Sequence, residues 1–190
     1  MVVRISKPAF NIRDKLAEIG ANISANQMPS GTIINTAYSV YSSQVSITTD
    51  GRQKYATIWT PHIVAKQSGS DFLVMANIQG YMLASANGVN LGIQRVIDNA
   101  WIHLADEQMN ADGYQEDQWM GLAHNAGLTN TSFNLNRFAM DSYRNYKAGQ
   151  KIQWDIAAGF WRSDGGDIRI NYSGYNSQSV AFIMEIRQGN

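Results

Sequence analysis

Lys151–Ile152–Gln153–Trp154–Asp155–Ile156 alternates polar and apolar residues without a fault. A period of two puts Ile152, Trp154 and Ile156 on one face of a strand and the polar residues on the other. Asp167–Ile168–Arg169–Ile170–Asn171–Tyr172 and Ser132–Phe133–Asn134–Leu135–Asn136 repeat the pattern. Further out, Val180, Phe182, Met184 and Ile186 share one strand face. Strands are also predicted over 32–41, 54–59, 72–83, 91–97 and 119–124. Asp50–Gly51, Asn87–Gly88 and Asp164–Gly165–Gly166 supply turns between them. Many short strands without a long helix predict an all-β antiparallel sandwich or barrel.

Two of these strands are apolar on both faces, Leu73–Val74–Met75–Ala76 and Val180–Ala181–Phe182–Ile183–Met184. A sandwich strand normally turns one face to water, so such a strand needs a second cover. That cover is either a loop or helix of the same chain, or another subunit. The occurrence of two such strands favours the subunit, with Phe182, Ile183 and Met184 as candidate interface residues.

Composition narrows the function. The 190 residues carry 15 Lys plus Arg and 15 Asp plus Glu, so the formal net charge is zero. This argues against nucleic acid as a partner, since phosphate binding needs an excess of positive charge on one face. Charged residues are only 16% of the chain, and Asn, Ser and Gln supply most of its polarity. A polar, weakly charged surface suits stable assemblies and sugar contacts. Cysteine is absent, which excludes disulfides, thiolate metal sites and cysteine nucleophiles. No apolar stretch approaches the roughly 18 residues of a membrane span, and Met1 to Phe10 lacks the apolar core of a signal peptide. The sequons at Asn22, Asn130 and Asn171 are chance matches in an Asn-rich chain.

Residues 1–30 read as an arm and linker ahead of a domain over 31–190. Asn11 is placed to cap a helix of about two turns, with Ile12, Leu16 and Ile19 on one face and Gly20 as its stop. So short a helix orders only against another surface. Phe10, Ile12, Arg13, Leu16 and Ile19 are the candidate anchoring residues. Arg4, Lys7, Arg13 and Lys15, against Asp14 alone, make the start of the arm basic. Pro29–Ser30–Gly31 then punctuates a linker.

No catalytic residue is expected. His62, His103 and His124 lack partners at metal-ligand spacing, and no nucleophile elbow or phosphate loop is present. A glycan-cleaving enzyme would need paired carboxylates in a groove, and Asp164 with Asp167 is a weak match. The segment 98–118 holds six acids and no Lys or Arg, but it departs from a calcium loop at Gln108 and Trp119. A looser calcium site from Asp106, Asp112 and Asp117, or a dock for a basic partner, stays open; no metal or cofactor is predicted. Trp161, Asp164, Tyr172, Tyr175 and Asn176 combine rings, amides and carboxylates at loop tips, which is chemistry that binds sugars. The alternative is that these rings pack inward as core.

Two stretches carry a family resemblance. One is Lys7–Pro8–Ala9–Phe10–Asn11–Ile12–Arg13–Asp14–Lys15–Leu16–Ala17, followed by Met28–Pro29–Ser30–Gly31–Thr32–Ile33–Ile34. The other is the strand ladder through Gln44–Val45–Ser46, Thr57–Ile58–Trp59–Thr60–Pro61 and Phe72–Leu73–Val74, ending in Met184–Glu185–Ile186. Together they resemble virion structural proteins of tailed bacteriophages of marine bacteria and cyanobacteria. The resemblance implies a jelly roll like that of tumour necrosis factor and the complement globular head, assembled as a homotrimer in fibres and appendages. It implies a virion location, other virion proteins as partners and a host-surface glycan as a possible ligand, with no enzymatic activity. Fibres carry long shafts, and only thirty residues precede this domain. Alternatives are a capsid decoration or cement protein without a receptor role, and a non-viral lectin.

Overall fold

The computed structural model describes residues 28–48, 55–82, 89–100, 102, 131–160, 167–175 and 177–189. The predicted arm with Phe10, Ile12, Arg13, Leu16 and Ile19, the strand over 119–124, nearly all of the acidic segment, and Trp161, Asp164 and Asn176 lie outside the described residues.

Ten strands are described: β1 (Ile33–Tyr41), β2 (Val45–Ile47), β3 (Tyr55–Trp59), β4 (His62–Val64), β5 (Asp71–Met82), β6 (Val89–Arg95), β7 (Thr131–Asp141), β8 (Lys151–Phe160), β9 (Ile168–Ile170) and β10 (Ser179–Ile186). They form two antiparallel sheets, and the chain is an all-β jelly-roll sandwich, as the alternation predicts. The first sheet has six strands in the order β1-β10-β5-β9-β2, with β7 on the other side of β5. The second has β8 at its centre, with β3 and β4 along one edge and β6 along the other.

Phe72, Val74, Ile78 and Ile183 of the first sheet face Ile93, Ile152, Trp154 and Ile156 of the second across the core. The alternating residues of 151–156 are therefore inward, as predicted. Phe72 packs against Trp154 and edge-on against Tyr146, both with ring centroids 5.5 Å apart. Such aromatic contacts contribute beyond the area they bury.

Two fully buried carboxylates, Asp141 and Glu185, enter this core, and each is bonded. Asp141, at the end of β7, accepts from Arg95 Nη2 at 2.7 Å, Tyr146 Oη at 3.0 Å, Trp154 Nε1 at 2.8 Å and Tyr143 N at 3.0 Å. The network ties β7 to β6, β8 and the β7–β8 turn. Burial alone would lower the Arg95 pKa, but the bonds and charge of Asp141 outweigh it and hold the guanidinium above its usual range. The Tyr146 phenol is pushed well above its usual value by burial and then by the Asp141 charge. Glu185, in β10, accepts from the Lys66 and Gln67 backbone N–H groups and from Ser70 Oγ. It thereby pins the turn between β4 and β5 to the last strand.

Asn171 turns the chain out of β9 with a φ of 52°, a left-handed conformation that Asn tolerates. Its Nδ2 donates to Tyr41 O and Ser43 O, and its Oδ1 accepts from Ser179 Oγ. The amide is buried and engaged, so this sequon is not a glycosylation site in the folded chain.

Candidate functional site

The two strands predicted to be apolar on both faces are neighbours. In β10 and β5, Phe182 pairs with Met75, Ile183 with Val74 and Met184 with Leu73. One side of each strand fills the core, and the other sides merge on the outer face of the first sheet. Ile183 belongs to the core side: it is 1% exposed, and period-two alternation sends it opposite to Phe182 and Met184. The three candidate interface residues therefore split, with two outward and one inward.

The outer face widens on both sides. Tyr38 of β1 stands opposite Phe182, and Phe138 of β7 stands opposite Met75. This gives a row Tyr38–Phe182–Met75–Phe138 across four strands. Beside it runs Thr36–Met184–Leu73–Met140, and on the other side Val40–Val180–Asn77–Asn136. No charged residue stands in any of the three rows. Tyr38 is 65% exposed and Phe138 50%, on strands that each pair with one neighbour in this sheet. Four strands about 4.8 Å apart and three rows about 7 Å apart make a patch on the order of 300 Å². That is the size of the largest apolar patch on a typical soluble monomer, which is often functional.

The contribution of β7 depends on a reversal within the strand. Up to Asn136 its apolar residues, Phe133 and Leu135, point inward. From Arg137 onward the pattern inverts: Arg137 and Asp141 are buried while Phe138 and Met140 face out. The sequence pattern stops at Asn136 because the alternation there changes sign, although the strand continues to Asp141.

The patch has polar borders. At one end Asp71 pairs with Arg144 at 3.3 Å. At the other, Asn77 Nδ2 donates to Asn136 Oδ1 at 2.6 Å and also to Asn134 Oδ1. Beyond these amides, on the same face, lies a groove of about 460 Å³ lined by Gln79, Ser132, Phe133, Asn134, Tyr172 and Ser177. Tyr172 stacks on Tyr81 with centroids 5.4 Å apart, and the Arg169 guanidinium lies 5.6 Å from its ring centre. Gly80 forms part of the lining because nothing larger fits. A Cβ there would lie 2.4 Å from Phe133 Cζ and 2.7 Å from Arg169 O.

Of the predicted sugar-binding residues, Tyr172 therefore stands in a groove. The backbone of Tyr175 lies in a 3-10 turn over Ser173–Tyr175, and its side chain is outside the described residues. Gln79, Ser132 and Asn134 were not predicted. Their only sequence signal is a polar residue on the outer face of a strand, which is also the signal of plain solvent exposure. Asp167, the described half of the weak carboxylate pair, accepts from Arg169 Nη2 at 3.3 Å. Among the described residues no group of three His, Asp or Glu side chains is placed to hold a metal, and no helix is long and apolar enough to cross a membrane.

No family model matches the sequence, and no curated protein matches it. Several solved structures are similar. The C-terminal domain of EclA, a sugar-binding protein, is 10% identical with a TM-score of 0.36, covering 74% of this chain and 78% of that one. Eiger TNF from S. frugiperda is 10% identical with a TM-score of 0.39, covering 84% and 96%. A mutant VP2 protein of infectious bursal disease virus is 12% identical with a TM-score of 0.38, covering 83% of this chain and 38% of its own. The chain thus spans well under half of VP2. At these identities and scores the likenesses carry no argument about function.

Proposed function

We propose that the chain is a structural, non-enzymatic subunit of a bacteriophage virion. It is a jelly roll that joins copies of itself into a homotrimer, is held on the particle by its N-terminal arm, and contributes to attachment at the host surface. The observation that carries this is the uncharged outer face of β1, β10, β5 and β7. A second copy of the same chain is the occupant that suits it. A face with no charge meets itself without repulsion or a stranded ion, and a chain of zero net charge has little long-range repulsion to keep copies apart. Met75, Met140 and Met184 supply adaptable apolar surface, and Tyr38, Phe138 and Phe182 supply rings of the kind that anchor interfaces. The patch is smaller than the roughly 800 Å² per partner of a standard interface. It serves as the apolar centre, with the Asn77–Asn134–Asn136 amides and the Asp71–Arg144 pair as rim. The number three comes from the resemblance to trimeric virion jelly rolls.

The test is light scattering on purified protein at micromolar concentration. The expected mass is three times the 21.1 kDa of one chain. A monomer at that concentration refutes the proposal.

A further inference from the structure

We propose that the groove between Tyr172 and the amides of β5 and β7 is a carbohydrate subsite that holds one neutral pyranose unit of a surface glycan. This rests on the reading of the protein as an attachment subunit and gives that reading a site. The lining selects the ligand class. Gln79 and Asn134 offer amides, and Ser132 and Ser177 offer hydroxyls. Each of these side chains both donates and accepts hydrogen bonds, as sugar hydroxyls do. Among the described residues the lining holds no Lys, Arg, Asp or Glu, so an anionic or cationic ligand would find no counter-charge in it. Arg169 donates to Asp167 and lies over the Tyr172 ring, beside the lining rather than in it. The Tyr172 ring gives the apolar surface that the C–H face of a pyranose needs.

The groups are held before any ligand arrives. Gln79 and Asn134 stand directly opposite each other on paired strands, as do Tyr81 and Ser132. Asn134 Oδ1 accepts from Asn77, which sets the orientation of its amide and leaves its Nδ2 to donate. Tyr172 is fixed by its stack on Tyr81 and by close approach of the turn at Gly174, where a Cβ would lie 2.9 Å from Tyr172 Cε1. Ordering cost on binding is therefore small. A volume of about 460 Å³ is within the range of small-ligand sites. The groove lies on the same face as the apolar rows, past the amide border, so each copy in an assembly carries one groove at the rim of its interface. Several weak sites then act together through effective concentration.

The experiment is saturation-transfer NMR and calorimetric titration of the full chain with glucose, galactose, mannose and N-acetylglucosamine, and with glucuronate as a charged comparison. Light scattering is run on the same samples. At least one neutral sugar is expected to bind with a dissociation constant on the order of 1 mM. Gln79→Ala and Asn134→Ala are each expected to weaken it about tenfold or more, an effect worth ~1.4 kcal/mol. Lys147→Ala, in the exposed β7–β8 turn, is expected to leave it unchanged. Asn134→Asp, which keeps the side-chain size, guards against a folding defect and is also expected to weaken binding. The proposal is overturned if no neutral sugar binds an assembled sample, if glucuronate binds more tightly, or if both alanine variants bind as the parent does. A monomeric sample that still binds sugar sinks the assembly reading and upholds the groove.

Discussion

Replacing Phe138 by Asp separates the assembly face from the fold that carries it. Phe138 is half exposed, so the single chain loses little when it is removed. In an assembly the exposed half is buried. Aromatic side chains bury roughly 150–250 Å² in full, so about 100 Å² remains for the interface. At roughly 25 cal/mol per Å² that is about 2.5 kcal/mol per copy. Aspartate adds a carboxylate to rows that contain no cation to pair it, at a further cost of several kcal/mol per buried charge. Copies that meet around one axis each carry the change. The expected outcome is a monomer by light scattering at concentrations where the parent is assembled, with a thermal transition that no longer rises with concentration. Val64→Asp is the control. Val64 is 47% exposed, but it sits on β4 of the opposite sheet, and assembly should survive its replacement. The reasoning fails if Phe138→Asp keeps the parent's mass, or if Val64→Asp disrupts assembly equally.

Asp141→Asn leaves Arg95 without its buried counter-charge and should destabilise the chain by about 3–5 kcal/mol, read from chemical denaturation; a loss under about 1 kcal/mol would show the network to be dispensable. Tyr146 has a raised pKa in the folded chain, so the unfolded state loses this proton first, near pH 10, and stability must fall as pH rises past that point. Tyr146→Phe should be less stable at neutral pH by roughly 1 kcal/mol and show a shallower alkaline decline, and parallel slopes for the two proteins would refute the assignment. Gly80→Ala should cost about 1–3 kcal/mol by overpacking, a fall of several degrees in Tm. Phe133→Leu should recover only part of it, because Arg169 O is backbone; an unchanged Tm for Gly80→Ala would contradict the contact.

The strands that alternate cleanly were legible in sequence, and so was the apolar character of both faces of β5 and β10. Their adjacency was not, because nothing in residues 73–76 and 180–184 says that they pair. Nor were Phe138 and Met140, since the β7 alternation reverses at Arg137, and a strand whose polar residues point inward looks like the end of a strand. At Asp141 that reversal is supported by donors from Tyr143, Tyr146 and Trp154, which follow closely in the chain, and from Arg95, which the sequence places far before it. Ile183 was grouped with its neighbours by composition, whereas a strand sorts residues by parity. At the groove, Tyr172 had an aromatic signal. Gln79 and Asn134 meet only through pairing of strands far apart in the chain.

The position of β10 bears on how the chain comes to exist at all. It follows the other nine described strands in the chain, yet it lies between β1 and β5 rather than at an edge. Among the described strands β1 pairs with no other, so it must wait for more than a hundred further residues. Until then the apolar faces of β5 have no neighbour on that side, and the backbone N–H groups of Lys66 and Gln67 lack the Glu185 carboxylate. Such long-range pairing slows folding and leaves sheet edges open in the meantime. The first sheet therefore closes only after Ser179–Ile186 has left the ribosome. A chain cut short before Ser179 keeps an open, apolar edge on β5, which proteases can tell from the folded form.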